Sequence, residues 1–206
     1  MAVAFDLFGT LVDVDTPADP AEAVAAELEA RGVAVPSAFG AAYREQHTDA
    51  PEGAEVPLPA HVAAVLAAHD VEVTNNAARR AVVAAFDPDV RVRPGVSAAL
   101  AAASERGPVG LCSNCSVPEL VGRTLVRADL RGTFDAVVTS VGCGWRKPHP
   151  NSFGELADAL GVAVEDIVFV GDDPDTDGGI EAVGGRFVDV SDTPLSALPE
   201  QLDADE

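Results

Sequence analysis

The sequence predicts an α/β fold of the Rossmann-like, doubly wound kind, with a helical segment inserted after the first strand. Three features carry this reading. Five short apolar runs have the length and composition of buried strands, helical periodicity lies between the last four of them, and one long interval breaks the alternation. The chain of 206 residues is long enough to bury a sizeable core.

The runs, in order, are VAFDLF from Val3, PVGLCS from Pro108, FDAVVTS from Phe134, DIVFVGD from Asp166 and RFVDV from Arg186. Between them, VPELVGRTLVRA and SFGELADALGV repeat apolar residues at helical spacing. About seventy-five residues separate the first run from RVRPGV, which marks the return to the sheet. That interval holds four amphipathic candidates, Pro20 to Arg31, Ser37 to His47, Pro57 to His69 and Asn75 to Phe86, punctuated by Pro, Gly and Asn. In the third, Val62, Val65, Leu66 and His69 share a face. The expected organisation is a core of residues 1–14 and 91–206, with 15–90 as the helical insertion.

Composition narrows the partners. Thirteen Lys and Arg against 34 Asp and Glu give a formal charge of -21, which argues against nucleic acid or an anionic membrane surface. Acidic residues are spread along the chain, and the end LDADE is acidic too. Such a surface is expected in a halophilic setting, a cytoplasm whose salt screens self-repulsion within a few ångströms. No run of 18 apolar residues occurs and MAVAFDLFGT lacks the regions of a signal peptide, so the expectation is a cytoplasmic protein without a membrane span. Cys112, Cys115 and Cys143 cannot all pair; the CxxC lacks a second ligand pair unless His149 joins it, and the plainer reading is reduced cysteines beside a strand end.

Ligands of doubly wound sheets bind outside the carboxyl ends of the strands. Asp6 lies at the strand terminus of the first run, followed by the turn-permitting Gly9 and by Thr10, whose hydroxyl can orient a carboxylate. The second run ends at Ser113 and Asn114. Ser116 and Glu119 beyond it have the spacing of a capping box with Pro118 in the first turn, so a helix start suited to an anion is expected there. Beyond the third run lies Lys147, the one lysine beside twelve arginines. At the end of the fourth, Asp172, Asp173, Asp175 and Asp177 crowd six residues; with Asp6 they cannot all ionise without a cation, and hard oxygen ligands favour Mg2+.

Strand-Asp-x-x-Gly-Thr, strand-Ser-Asn, Lys-Pro-x-Pro and strand-Gly-Asp-x-x-x-x-Asp, in that order, resemble the four motifs of the haloacid dehalogenase-like hydrolase superfamily. The resemblance runs over nearly the whole chain, and residues 15–90 match that family's C1-type cap. It implies a small phosphorylated substrate, Asp6 as nucleophile, and a Mg2+ shared by Asp6, the carbonyl of Phe8 and Asp172, with Asp177 or Asp173 holding it less directly. By the same likeness Ser113, with Thr10 and Asn114 nearby, would bind the phosphoryl group. Lys147 would neutralise nucleophile and transferring group, a task for a compact ammonium rather than a planar guanidinium.

Phe8 departs from the pattern. Most family phosphatases carry a second Asp there that protonates the leaving group, help worth roughly 100- to 10,000-fold. An aromatic at this place, with Ser-Asn following the second strand, resembles the family's 2-haloacid dehalogenases instead, whereas the Gly171–Asp173 cluster does not. Three expectations follow: a Mg2+-dependent phosphohydrolase of the phosphatase class, a dehalogenase acting at carbon, or a metabolite-binding protein with little turnover. His47, His61 and His69 in the insertion are candidate replacement acids.

Overall fold

In the computed structural model, which describes residues 1–73 and 76–204, the chain runs from β1 (Ala2–Phe5) through β2 (Val12–Val14) into four helices. These are α1 (Pro20–Glu29), α2 (Phe39–Ala42), α3 (Leu58–Ala67) and α4 (Ala77–Ala85). Then follow β3 (Val90–Val92), α5 (Val96–Arg106), β4 (Val109–Ser113), α6 (Leu120–Arg127), β5 (Ala136–Thr139), α7 (Ser140–Cys143) and α8 (Pro150–Leu160). The chain ends with β6 (Ile167–Gly171), a 3-10 helix (Asp177–Val183), β7 (Arg186–Asp189) and α9 (Leu198–Ala204).

Five strands form a parallel sheet in the order β5-β4-β1-β6-β7, the expected Rossmann-like class. Each of the five apolar runs supplies one strand. Side chains alternate across β1: Val3 and Phe5 join one apolar cluster, with α5, α6 and α9, while Ala2 and Ala4 join another, with Phe153, Leu156 and Leu160 of α8. Burial on both faces explains why the runs of the three central strands β1, β4 and β6 are nearly continuously apolar, whereas the edge strands β5 and β7 keep exposed or half-exposed positions. The sheet order reverses beside β1, so the crevice falls at the ends of β1, β4 and β6.

The interval between β2 and β3 contains the four helices, and β2 pairs antiparallel with β3, Val12 opposite Val92 and Val14 opposite Val90. That two-stranded ribbon was not anticipated, because three-residue strands leave no readable period. The first helix starts where expected and ends two residues short of Arg31, begun by an Asp19 side chain that accepts from Ala21 and Glu22 N–H groups. Ser37 to His47 shrinks to α2, where the following N–H groups of Arg44 and Glu45 bond three residues back and end the α geometry. In α3, Val62, Val65 and Leu66 are buried together, but His69 lies beyond the helix end and is exposed. The expected start of the fourth helix at Asn75 lies outside the described residues, as do the last two residues of the acidic end.

The capping box is corrected. Helix α6 begins only at Leu120, after Glu119 in the left-handed region (φ 69°), with no side-chain cap. Arginines draw both box residues away: Ser116 Oγ accepts from Arg146 at 3.1 Å, and the Glu119 carboxylate pairs with Arg79 and Arg123. No helix N-terminus therefore stands directly behind Ser113.

Candidate active site

Asp6 follows the last residue of β1, with its N–H donating to the Val170 carbonyl at 2.9 Å, so the ladder with β6 fixes where its side chain starts. The turn beyond depends on Gly9, whose φ is +86°; a Cβ there would come within 2.2 Å of Asp172 Oδ2. Close approach of this turn to the end of β6 brings the two carboxylates together. Asp177 opens the 3-10 helix and folds back over Gly171, where a Cβ would meet its Oδ2 at 2.0 Å. Ligand oxygens of Asp6, Asp172 and Asp177 lie within 4.8 Å of one another.

Lys147 fills the gap between two of them. Its Nζ donates to Asp6 Oδ1 at 2.7 Å, to the Cys112 carbonyl at 2.8 Å and to Asp177 Oδ1 at 2.6 Å, and it lies 4.8 Å from the Phe169 ring centre. The residue is 3 % exposed, so these contacts are made in a dry setting. A cis peptide bond joins it to Pro148. Asn114 holds its backbone from both sides, accepting from the Lys147 N–H (2.8 Å) and donating to its carbonyl (2.9 Å).

Electrostatics follow from three clustered carboxylates, two of which share one ammonium. Burial pushes the Asp6 carboxyl up to about 6; Lys147 pulls it back, while Asp177 and Asp172 add to the rise. Asp177 is raised by burial in the same way, against the pull of Lys147. Burial works against the Lys147 ammonium, but Asp6 and Asp177 more than offset it and raise its pKa. The lysine is thus over-compensated and the acids under-compensated, leaving room for more positive charge. A divalent cation fits: the three donors are hard oxygens, close together, and carry more negative charge than Lys147 balances.

Ser113, 1 % exposed at the end of β4, has a hydroxyl with no hydrogen-bond partner. It lines a cleft of about 220 Å³ together with Asp6, Phe8, Asn114, Arg146, Lys147, Asp172, Asp173, Thr176 and Asp177. An unpaired buried hydroxyl is costly, and an anionic ligand in the cleft would satisfy it.

Most of the expected site residues are gathered here, with different tasks for several. Thr10 is fully buried and donates to Asp172 Oδ1 at 2.9 Å; it orients a carboxylate and cannot touch a substrate. Asn114 binds the Lys147 backbone, so it aims the lysine rather than the ligand. Asp173 is exposed and accepts from the Asp175 N–H at 3.0 Å, which turns it outward, whereas Asp177 points into the cluster. The structure does not bring the candidate histidines to the cleft. His47 and His61 bond the Ala42 and Tyr43 carbonyls, both at 2.8 Å, beside a separate hollow of about 550 Å³, and His69 is on the surface. Nor does the CxxC form a metal site: Cys112 and Cys115 are free and buried, and His149 stacks on Trp145 at 4.1 Å.

Two residues, Arg146 on the cleft's margin and its partner Glu55, carried no sequence signal. Arg146 lines the cleft, and its Nη1 donates to Ser116 and to Glu55 at 2.7 Å. Glu55, in a Pro-rich connector of the inserted segment, has a side chain only 2 % exposed and also accepts from Ser140.

Comparisons with known proteins bear on the fold and the family. The family model for haloacid dehalogenase-like hydrolases matches residues 1–184. Among solved structures, a 2-haloacid dehalogenase from Pseudomonas syringae pv. Tomato superposes with a TM-score of 0.70 at 22% identity, covering 100% of this chain and 99% of that one. A predicted phosphoglycolate phosphatase from Haemophilus somnus gives 0.59 at 17% identity, over 100% and 97% of the two chains. An L-2-haloacid dehalogenase from Xanthobacter autotrophicus gives 0.54 at 22%, over 100% and 83%. At these identities the likeness is one of fold. A search of curated proteins found no match.

Proposed function

The chain belongs to the haloacid dehalogenase-like hydrolase family, and from that premise we propose that it is a Mg2+-dependent phosphohydrolase acting on a small phosphorylated metabolite through Asp6. One observation carries the reading: Asp6, Asp172 and Asp177 converge within 4.8 Å, more negative charge than Lys147 alone can balance. A site built for halide displacement needs no such cluster. Residues 15–90 would serve as a C1-type cap over the cleft.

In this mechanism a carboxylate oxygen of Asp6 attacks phosphorus, the bond from phosphorus to the leaving oxygen breaks, and an aspartyl-phosphate remains for water to hydrolyse. Lys147 holds Asp6 in line and draws charge from the transferring group, and the free Ser113 hydroxyl donates to a phosphoryl oxygen. A Mg2+ held by Asp6, the Phe8 carbonyl and Asp172, with Asp177 behind, would stabilise the negative charge of the transition state. Phe8 supplies no proton, and among the described residues no histidine lines the cleft. Substrates whose leaving group departs unprotonated, acyl phosphates or phosphoanhydrides, should therefore turn over best.

Phe8 on the cleft wall favours a second reading, displacement of halide from a 2-haloacid by the same Asp6. Phosphate release from acetyl phosphate and p-nitrophenyl phosphate, with and without Mg2+, decides between them. The first reading expects Mg2+-dependent release, faster for acetyl phosphate and abolished by Asp6→Asn. Chloride release from 2-chloropropionate that persists in EDTA would replace it with the second, and ligand binding without either turnover would make the chain a binding protein.

A further inference from the structure

Two cations line the cleft among the described residues, Lys147 and Arg146, and they are placed differently. Lys147 is enclosed by Asp6 and Asp177 and serves the reacting end. Arg146 stands at the margin with its side chain 42% exposed. Glu55 and Ser116 both take Nη1, which fixes one corner of the guanidinium and leaves Nη2 and Nε to donate elsewhere.

The support beneath that corner is substantial for an exposed arginine. Glu55 is buried, and its carboxylate also accepts from the Ser140 hydroxyl, which in turn accepts from the Cys115 N–H at 2.8 Å. The backbone is tied as well: Arg146 N–H donates to the Gly53 carbonyl at 2.9 Å, Glu55 N–H to the Gly144 carbonyl at 2.8 Å, and Ala54 bridges Trp145. A planar fork held in one orientation beside a nucleophile is suited to a second two-oxygen anion.

Resting on the phosphohydrolase reading, we propose that Arg146, positioned by Glu55, is the specificity residue that binds a carboxylate on the substrate, so that the substrate class is a short phosphorylated carboxylic acid. Size agrees with charge. At about 220 Å³ the cleft is smaller than the roughly 300 Å³ at which ligand pockets begin, so a phosphoryl group leaves space for few further atoms. Because Lys147 is already shared by two aspartates, a second negative group on the ligand needs another cation, and Arg146 is the one at hand.

Calorimetric titration with phosphonoacetate and ethylphosphonate, in Mg2+ and without turnover, tests this, since the two probes differ by a carboxylate in place of a methyl group. The wild-type chain should prefer phosphonoacetate by about ten-fold or more, as a charge-assisted pair implies. Arg146→Met, and Arg146→Gln, which keeps a donor for Glu55 and Ser116, should reduce that preference to about two-fold while leaving ethylphosphonate affinity unchanged. No preference in the wild type, a preference that survives both substitutions, or an equal loss for both probes would overturn the inference while the phosphohydrolase reading stands. Failure of both phosphonates to bind would remove that reading and the inference together.

Discussion

Lys147 is the residue at which chemistry and fold conflict most openly. A buried ammonium faces two aspartates and a carbonyl, and a guanidinium in the same 3 %-exposed space would have to displace Phe169 or one of the acids. Lys147→Arg should therefore lower phosphoryl transfer at least about 100-fold and also cost about 1–3 kcal/mol of stability through overpacking. Kinetics and chemical denaturation of the same variant check both parts, and a stable, fully active protein would contradict them. Asp6 supplies a pH test. Its folded-state carboxyl, raised to about 6, holds a proton more tightly than the unfolded chain's at 3.8, so its share of stability is complete below about pH 4 and is lost as pH rises to about 6. That share is of the order of 3 kcal/mol. In EDTA, Asp6→Asn should be more stable than wild type at pH 7.5, with the advantage disappearing near pH 4. Mg2+ should then raise the melting temperature of wild type more than that of the variant. Denaturation at the two pH values reads this out, and a variant less stable than wild type at pH 7.5 would reverse the sign.

At the scale of elements, the turn after β1 decides whether the acids meet. Gly9→Ala forces φ +86° on a residue with a Cβ and drives that atom into Asp172. The strain is about 1–3 kcal/mol, and the displacement of Asp172 should abolish Mg2+-dependent turnover; a variant as active as wild type would show that Asp172 is dispensable. The same scale explains what could be read in advance. The central strands β1, β4 and β6 were legible because each is buried along its whole length and so reads as a near-continuous apolar run, and Asp6, Ser113 and Asp172 were found because they end such runs. The β2–β3 ribbon was hidden by its length, three residues a strand. Local pattern misled at Ser116 and Glu119, where distant arginines outcompeted a capping box. Thr10 orients a carboxylate as expected, but only the fold shows that the carboxylate is that of Asp172, that Thr10 is thereby buried away from any ligand, and that the Lys147 backbone takes the Asn114 amide. Glu55 left no trace in the sequence because its partners are 85 and 91 residues away.

Over the whole molecule, a formal charge of -21 sets the conditions under which the site operates. Self-repulsion at that charge is screened within about 3 Å in molar salt against about 30 Å at 0.01 M. The melting temperature should accordingly climb between dilute buffer and molar KCl, and equal values would remove the case for a salt-adapted surface. The long sequence separations that bring the site together, Lys147 to Asp6 across 141 residues and Thr10 to Asp172 across 162, tie catalysis to the integrity of the whole sheet. The most direct measurement of the central claim is peptide mass spectrometry on protein acid-quenched after mixing with acetyl phosphate and Mg2+. A phosphoryl group on the peptide carrying Asp6, lost in Asp6→Asn and in EDTA, is the predicted result. Turnover of acetyl phosphate by Asp6→Asn at the wild-type rate, or a phosphoryl group on any other residue, would contradict it.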